Sequence, residues 1–466
     1  MSRPRLLIPI SGHFTVRYLV RTGMLAELSS FAQPVILLRW DNVALKLELE
    51  SLGAEVYPMP RYHDTPDIER LRSRLTFHHF LKSGSSSIII DRRRKKRVRG
   101  RSYALKRTLR EWKMRFELAR PQPVARLQAE EERLFWAQSN AQEIEATLRQ
   151  IKPDAFFSIT PYTNDEPALS RVAQRLGLKL CTAILSFDNI TTRPPLPVIF
   201  DRYLLWNAYN KNELLRDYTG IDESQIRIVG APQFDFYWDD QYVWDEQVWR
   251  EFYHVPADRP IVFFGAGFYE VAPHEHFILQ QLDQAITNRE IPHNPIIIFR
   301  RHPVDPVGRW QDILAQAQNV IVDTPWTGTS HTGDADISRQ EIEKLVSLLK
   351  HTHVHINTSS TLTVDGAVFD KPQIGPAYDD VGNRKFDRIM RDLYEREHFL
   401  PITYSGGLDL VHSRDQLITA VTSALANPAA GAEGRRKLVE EIITFTDGKA
   451  TQRVVAALKE FLGPAP

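Results

Sequence analysis

The sequence is poor in cysteine, in excess charge of either sign and in long apolar runs. Cys181 is the single cysteine among 466 residues, which excludes an internal disulfide and thiolate metal clusters. Lys and Arg number 59 against 58 Asp and Glu, so no overall field favours a polyanion. The longest apolar runs, such as 295–299, are too short for a bilayer span, and the run 6–10 is too short for a signal peptide. We therefore expect a cytoplasmic globular protein that binds no nucleic acid.

The apolar runs that are present alternate with stretches long enough for helices. This alternation is typical of an α/β fold with parallel strands. One series of runs ends near residue 229 and a second begins near residue 260, and a chain of 466 residues is too long for one core. We expect two Rossmann-like domains, 1–235 and 236–446, followed by a helical segment, 447–466.

A long stretch, about 61–133, interrupts the first series and is predicted to be an insertion. It contains a basic run from Arg92 to Arg101, which we expect to form a loop. Apolar residues at helical spacing follow and predict an amphipathic helix: Leu105, Leu109, Trp112 and Phe116. Clustered cations attract anionic lipid headgroups but are also common in solvated loops. The basic run is thus compatible both with a peripheral contact with the inner face of the membrane and with a solvated loop.

The segment from His355 to Pro372 reads as a short strand that runs into hydroxyl residues opening a helix. Free N–H groups in the first turn of a helix, together with Ser and Thr hydroxyls, attract phosphate. The candidate phosphate ligands are Thr358, Ser359, Ser360 and Thr361. Asp365, about one turn later, is placed to accept hydrogen bonds from a sugar or ribose hydroxyl. The structural alternative is a helix cap without a ligand.

Two further loops are expected at the same edge of the second sheet, where ligands of open α/β sheets bind. Gly265 and Gly267 would let backbone N–H groups approach a ligand closely, although a tight turn has the same pattern. Arg300, Arg301 and His302 carry donors that match a diphosphate, although a solvated basic loop would look alike.

Three alternating histidines precede the hydroxyl segment. His351, His353 and His355 would share one face of a strand, which is the arrangement of some metal sites. No carboxylate accompanies them at a suitable spacing, so we expect packed histidines and no metal. The preceding loop, 328–336, contains His331, Asp334 and Asp336 and is a candidate cover for a bound donor.

Candidate catalytic residues follow two predicted strands of the first half. His13 is suited to proton removal near neutral pH, and Asp188 is a rival base or a contact for an acceptor. Asp188 and the following Asn189 are equally compatible with an Asx turn. The sequence does not rank His13 above Asp188.

Taken together, these motifs resemble the C-terminal domain of GT-B-fold glycosyltransferases, and most closely those of bacterial surface-polysaccharide enzymes and CDP-glycerol glycerophosphotransferases. The segments that carry the resemblance are Gly265 to Phe268, Arg301-His302-Pro303, Asn357 to Thr361 with Asp365, and Lys371-Pro372. Gly230-Ala231-Pro232 with Asp235 looks like the close of a GT-B N-terminal domain. Asp447-Gly448 looks like the break before the terminal helix that crosses back to that domain.

The resemblance implies a transferase with two Rossmann-like domains facing a cleft. The C-terminal domain would bind a nucleotide-sugar donor, with Arg301, His302, Ser359 and Ser360 at the diphosphate and Asp365 at donor hydroxyls. The N-terminal domain would hold a carbohydrate, lipid-linked or small-molecule acceptor. The donor is a substrate, so no cofactor is expected, and a metal is usually not required in such enzymes.

The chain departs from the family pattern in two ways, and the first is that the basic insertion is not a general feature of the family. The second concerns the reaction. The hydroxyl segment has no glutamate, so the acidic signature of many retaining sugar transferases is missing and the stereochemical outcome stays open. A non-hydrolysing nucleotide-sugar 2-epimerase would carry Ser-Gly-Gly and a Gln-Glu cluster where this chain has Ser-Ser-Thr-Leu. A non-catalytic carbohydrate-binding relative is the remaining alternative.

Overall fold

The computed structural model describes residues 3–118, 123–163, 165–302, 305, 307–324, 338–379 and 389–463. The chain divides into two compact units. Unit 1 comprises Met1–Ile89, Arg99–Gln233 and Lys449–Pro466, and unit 2 comprises Ile90–Val98 and Phe234–Gly448. Pro303 and the loop 328–336 lie outside the described residues.

The described residues form thirteen strands: β1 (Arg5–Ile10), β2 (Gln33–Leu38), β3 (Glu55–Pro58), β4 (Ala155–Ser158), β5 (Lys179–Ala183), β6 (Arg202–Leu205), β7 (Ile226–Ile228), β8 (Ile261–Gly265), β9 (Ile296–Arg300), β10 (Val320–Asp323), β11 (Val354–Asn357), β12 (Gln373–Pro376) and β13 (Leu408–Val411).

Twenty-one α-helices are described: α1 (His13–Val16), α2 (Met24–Leu28), α3 (Val43–Ser51), α4 (Pro66–Ser83), α5 (Ser86–Val98), α6 (Arg101–Leu118), α7 (Pro123–Trp136), α8 (Ser139–Ile151), α9 (Glu166–Arg175), α10 (Asn189–Thr192), α11 (Ala208–Asp217), α12 (Glu246–Phe252), α13 (His276–Thr287), α14 (Gln311–Leu314), α15 (Arg339–His351), α16 (Leu362–Val368), α17 (Arg391–Tyr394), α18 (Leu400–Thr403), α19 (Arg414–Ala426), α20 (Ala432–Ile443) and α21 (Ala450–Leu462). None of these described helices is long and apolar enough to cross a bilayer.

Unit 1 is built on a parallel sheet with the order β3-β2-β1-β4-β5-β6-β7. Side chains of a strand alternate between the two faces, so Leu6 and Ile8 enter one core and Leu7 enters the other. The first core includes Leu458 of α21, and the second includes Leu148 of α8. Helices therefore cover both faces, as the continuous apolar strands predict.

Unit 2 repeats this plan with the order β10-β9-β8-β11-β12-β13, again all parallel. Its core joins Val262, Ile297 and Ile356 of three adjacent strands to Ile278 of α13 and Val421 of α19. The predicted α/β class with two Rossmann-like sheets is confirmed. The assignment of these halves to acceptor and donor stays a prediction.

The predicted insertion consists mainly of the helices α4, α5, α6 and α7, and the basic loop expected there is wrong. The basic run lies largely in α5, where no Gly or Pro interrupts the chain before Gly100 and Arg and Lys favour helix. Arg94 is buried and donates to the carbonyl of Ile389 at 3.2 Å, and Arg97 pairs with Asp392 at 3.0 Å. Two of the predicted lipid contacts therefore take part in the packing of unit 2.

Candidate functional site

Three loops of unit 2 begin side by side at one edge of its sheet. Gly265 at the end of β8 is in register with Arg300 on β9 and Asn357 on β11. The segments that follow, 266–268, 301–302 and 358–361, therefore start together; we call them the donor edge. The strand order reverses between β8 and β11, and open α/β sheets bind ligands outside the carboxyl ends of strands at such a point.

The two glycines of the donor edge are required by close packing. A Cβ on Gly265 would lie 2.4 Å from Cδ1 of Leu362, the first residue of α16. A Cβ on Gly267 would lie 3.3 Å from Oε2 of Glu275, and the N–H of Gly267 donates to Oε1 of Glu275 at 2.7 Å. These glycines let the turn approach its own neighbours, so their direct contact with a ligand stays a prediction.

A buried polar cluster contacts the backbone of the donor edge at Gly267, and the sequence interpretation missed it. Arg309 donates to Oδ2 of Asp305 at 2.8 Å and to the carbonyl of Gly267 at 3.1 Å. Burial raises the pKa of Glu275 to about 8, although Arg309 and the N–H of Gly267 favour the charged form. The residues of this cluster are spread from residue 267 to residue 309, so no local sequence motif predicts them.

Arg300 has a structural partner, and its contact with a diphosphate stays a prediction. Its guanidinium is ion-paired with Asp323 on the neighbouring strand β10. Asp323 is buried and also contacts Nζ of Lys344 at 3.3 Å and the hydroxyl of Tyr253 at 2.9 Å. The carboxylate thus holds Arg300 along the sheet.

Arg301 and His302 leave the edge next to Arg300. Arg301 is partly exposed and donates to the carbonyl of Asp305, which lies in the loop that continues the chain. The His302 ring lies against Phe268, with ring centroids 5.5 Å apart. Burial lowers the pKa of His302 to about 4, so the imidazole is neutral at neutral pH and offers hydrogen bonds without charge.

The four predicted hydroxyls divide into a buried pair and an accessible pair. Thr358 and Ser359 are buried, while Ser360 is partly exposed and Thr361 is exposed. Ser359 has φ of 43°, its hydroxyl donates to the carbonyl of Leu393 at 3.1 Å, and it accepts from Arg396 at 2.9 Å. Ser359 therefore fixes the loop, and Ser360 and Thr361 are the hydroxyls that a ligand can reach.

The helix after this loop, α16, has seven residues, so its dipole is smaller than that of a long helix. Oγ of Ser360 accepts from the N–H of Leu362 at 3.3 Å, which is a local cap. Asp365 accepts a hydrogen bond from the hydroxyl of Tyr237. Its carboxylate is thus engaged within unit 2, and its contact with a donor hydroxyl stays a prediction.

The three alternating histidines do not share a strand face, so that part of the prediction is wrong. His351 ends α15, with Nε2 lying 2.8 Å from the carbonyl of Trp244, and His353 precedes β11. His355 lies inside β11, where burial lowers its pKa to about 3. Among the described residues, no group of three or more His, Cys, Asp or Glu side chains could hold a metal ion.

At the corresponding edge of unit 1, His13 begins α1, and Ser11 and Gly12 separate it from β1. It is 7% exposed, and its ring lies 4.6 Å from that of Trp40. Nearby at the same switch point, Glu166 is fully buried and accepts from Ser11, Ser158 and Thr160, while burial raises its pKa. This carboxyl, which the sequence interpretation missed, ties the loop after β1 to the loop after β4.

Asp188 lies in the loop after β5 and is engaged by that loop. Its Oδ1 accepts from Ser186 and, at 3.1 Å, from Nδ2 of Asn189, and its carbonyl accepts from Thr192 at 2.8 Å. An Asx turn needs a backbone N–H bonded to the carboxylate, which is not among these bonds, so the Asx-turn alternative stays a prediction. The strands before His13 and Asp188 are two places apart in the sheet, and both residues remain candidate bases.

A cleft of about 1480 Å³ lies within unit 1 between the inserted helices and α9. Its lining residues include His78, Lys82, Trp136 and the segment 194–198. Deep in the wall, Glu131 pairs with Arg72 at 2.8 Å and with Arg171 at 2.7 Å. Lys82 stays exposed on the rim.

A family model described as CDP-glycerol:poly(glycerophosphate) glycerophosphotransferase matches residues 198–460, more than half of the chain. The chain belongs to this family. The matched region contains the whole donor edge, and the glycerophosphotransferase family places the chain among transferases of nucleotide-activated groups, as predicted. No curated protein matches the sequence.

Solved structures that resemble this chain have the GT-B fold. A putative UDP-N-acetylglucosamine 2-epimerase from Listeria monocytogenes has a TM-score of 0.57 at 12% identity, covering 100% of this chain and 98% of the other. The UDP-GlcNAc 2-epimerase from Neisseria meningitidis has a TM-score of 0.56 at 12% identity, and the match covers 97% of this chain and 99% of the other. A glycosyltransferase from Rickettsia africae has a TM-score of 0.52 at 12% identity, and the match covers 100% of both chains.

Proposed function

We propose that the protein moves a glycerophosphoryl group, or alternatively a sugar, from a nucleotide diphosphate donor bound at the donor edge. The observation that carries this proposal is that the family match includes all three segments of the donor edge. Solved neighbours of the same fold include complexes with UDP-GlcNAc or UDP, which supports a nucleotide ligand. The family description favours CDP-glycerol as the donor.

In this proposal the accessible groups of the donor edge bind the diphosphate. Arg301 supplies forked donors, and Ser360 and Thr361 supply hydroxyls. Negative charge grows on the leaving nucleotide as the bond to the transferred group breaks, and fixed donors stabilise that charge. His302 contributes a neutral hydrogen-bonding group at the same place. His13 or Asp188 removes the proton of the acceptor hydroxyl.

The reacting hydroxyl of the acceptor lies at His13 or Asp188, neither of which lines the cleft of unit 1, and we place the rest of the acceptor in that cleft. Its volume exceeds the range of about 300–1,000 Å³ typical of small-molecule sites, which favours a chain-like acceptor. The exposed ammonium of Lys82 on its rim is suited to a phosphodiester. Lys82→Glu then raises the KM for a poly(glycerophosphate) acceptor and leaves donor affinity unchanged. An unchanged KM contradicts this placement.

The nucleotide released distinguishes the competing reactions. Glycerophosphoryl transfer breaks the diphosphate bridge of CDP-glycerol and releases CMP, whereas sugar transfer breaks the bond to the sugar carbon and releases a nucleoside diphosphate. The test incubates the protein with CDP-glycerol or UDP-N-acetylglucosamine, with and without poly(glycerophosphate). Acceptor-dependent CMP supports the proposal. Acceptor-independent formation of the 2-epimer supports the epimerase alternative, and no turnover with either donor supports the non-catalytic one.

Membrane contact through Arg92 to Arg101 is retained only as a prediction. Because Arg94 is buried and Arg97 is ion-paired, those two residues contribute little to it. The helix that follows, α6, offers a more exposed surface.

A further inference from the structure

The helix α6 exposes a row of large apolar side chains. Leu105, Leu109, Trp112 and Phe116 are 63%, 61%, 70% and 72% exposed. Their spacing of four, three and four residues places them on one face, along about 16 Å of the helix. No other helix in the described part of the chain exposes more than two large apolar side chains. We call these four residues the apolar face of α6.

The opposite side of α6 is fixed to unit 1. Glu117 pairs with Arg74 of α4 at 2.8 Å, and Arg110 donates to Oγ of Ser73 at 3.3 Å. Met114 is buried beneath the helix. The apolar face therefore belongs to a docked helix with a fixed orientation, and its exposure is not that of a detached segment.

Cations border the apolar face on both sides. At 100° per residue, Arg101 and Arg115 lie along one border and Lys106 and Lys113 along the other. All four side chains are exposed, and none forms an ion pair with another described residue. This arrangement gives an apolar strip between two positive borders.

We propose that the apolar face of α6 docks on an anionic lipid bilayer, with the helix lying in the plane of the interface. An apolar face between cations matches the boundary between acyl chains and negatively charged headgroups. Trp112 is suited to that boundary because its ring is apolar and its N–H is polar. Docking of two copies through this face would bring the positive borders together, which disfavours a dimer.

The proposal is tested by cosedimentation of the full chain with vesicles. One set contains phosphatidylglycerol mixed with phosphatidylcholine, and the other contains phosphatidylcholine alone. We expect binding to the anionic vesicles, weaker binding as salt rises, and little binding to the neutral ones. Equal binding to both sets, or none to the anionic set, would overturn the proposal.

Paired variants distinguish vesicle binding through the apolar face of α6 from non-specific hydrophobic adsorption. The double variant Trp112→Ser and Phe116→Ser is expected to lower the partition coefficient of the protein into anionic vesicles at least about tenfold, because two exposed apolar side chains no longer enter the lipid. Val248→Ser combined with Phe252→Ser, on the exposed side of α12, is the matched control and leaves partition unchanged. Lys106→Glu with Lys113→Glu weakens binding to anionic vesicles only.

Light scattering provides the check on a second copy as the occupant. The protein is expected to keep its mass when the apolar face is changed. A dimer that dissociates in the Trp112→Ser and Phe116→Ser variant, with unchanged vesicle binding, would overturn the lipid assignment and identify the face as a self-association surface.

Discussion

At the scale of single residues, Arg300 and Arg301 are adjacent and both partly exposed, yet they have different partners. Asp323 on the next strand pairs with Arg300, whereas Arg301 donates to the carbonyl of Asp305 in its own loop. The partner of Arg300 lies 23 residues away along the chain. Strand register, which the sequence pattern does not give, decides the difference.

The two arginines therefore respond differently to the same change. Arg301→Ala is expected to weaken donor binding about tenfold with little effect on stability, since it removes one charge-assisted contact. Arg300→Ala is expected to lower the free energy of unfolding by about 3 kcal/mol because it leaves the buried Asp323 poorly compensated. Titration calorimetry and denaturant unfolding measure the two effects. Equal losses of affinity in both variants contradict this division.

His302 gives a pH-dependent prediction. Its pKa is lowered from 6.5 to about 4 by burial, so the unfolded chain binds a proton between these values that the folded chain does not. Stability from this group is therefore full above pH 6.5 and is lost as the pH falls towards 4. We expect the free energy of unfolding of His302→Gln to fall by about 2 kcal/mol less than that of the unchanged protein over this pH range. Denaturant unfolding at a series of pH values measures the difference. The same substitution at exposed His412 is the control, and an identical pH profile in both variants refutes the assignment.

At the scale of elements, the apolar runs predicted eleven of the described strands, and two others lacked such a run. β3 is largely half-exposed and β13 carries Asp409, so neither forms a continuous apolar segment. The basic run forms most of α5 and not the expected loop, because Arg and Lys favour helix and no Gly or Pro interrupts them before Gly100. Helical spacing after it correctly predicted α6.

The junction of β8 and α16 has a specific steric requirement. Gly265→Ala places a methyl group against Leu362, so we expect a loss of about 1–3 kcal/mol of stability and weaker donor binding. Gly308→Ala is the matched control, because nothing lies within 4 Å of its added Cβ. Thermal unfolding of both variants provides the comparison. Equal stability of the two would show that Leu362 moves aside without cost.

At the scale of the whole molecule, the last described helix of the chain completes the first unit. α21 follows unit 2 in sequence, yet Val454 and Leu458 lie in the core that also contains Leu19 and Leu25. The sequence predicted a helix after Gly448, but its contribution to the core depends on contacts with residues more than 400 positions earlier. Resemblance to a known family, and not local pattern, supplied that expectation.

Removing this long-range contact should destabilise unit 1. Leu458→Ala leaves a cavity at a fully buried position and is expected to cost about 2–5 kcal/mol. Gln452→Ala, at an exposed position of the same helix, is the control. Hydrogen exchange of β1 amides measures the effect, and unchanged protection in Leu458→Ala would contradict the packing described.

The central claim is that the donor edge of unit 2 binds a nucleotide-activated donor. Hydrogen exchange with and without CDP-glycerol tests it most directly, because a ligand at this edge slows exchange of amides in 266–268, 301–302 and 358–361. We predict protection in all three segments together. Binding of CDP-glycerol without protection there, or protection confined to other parts of the chain, would contradict the account.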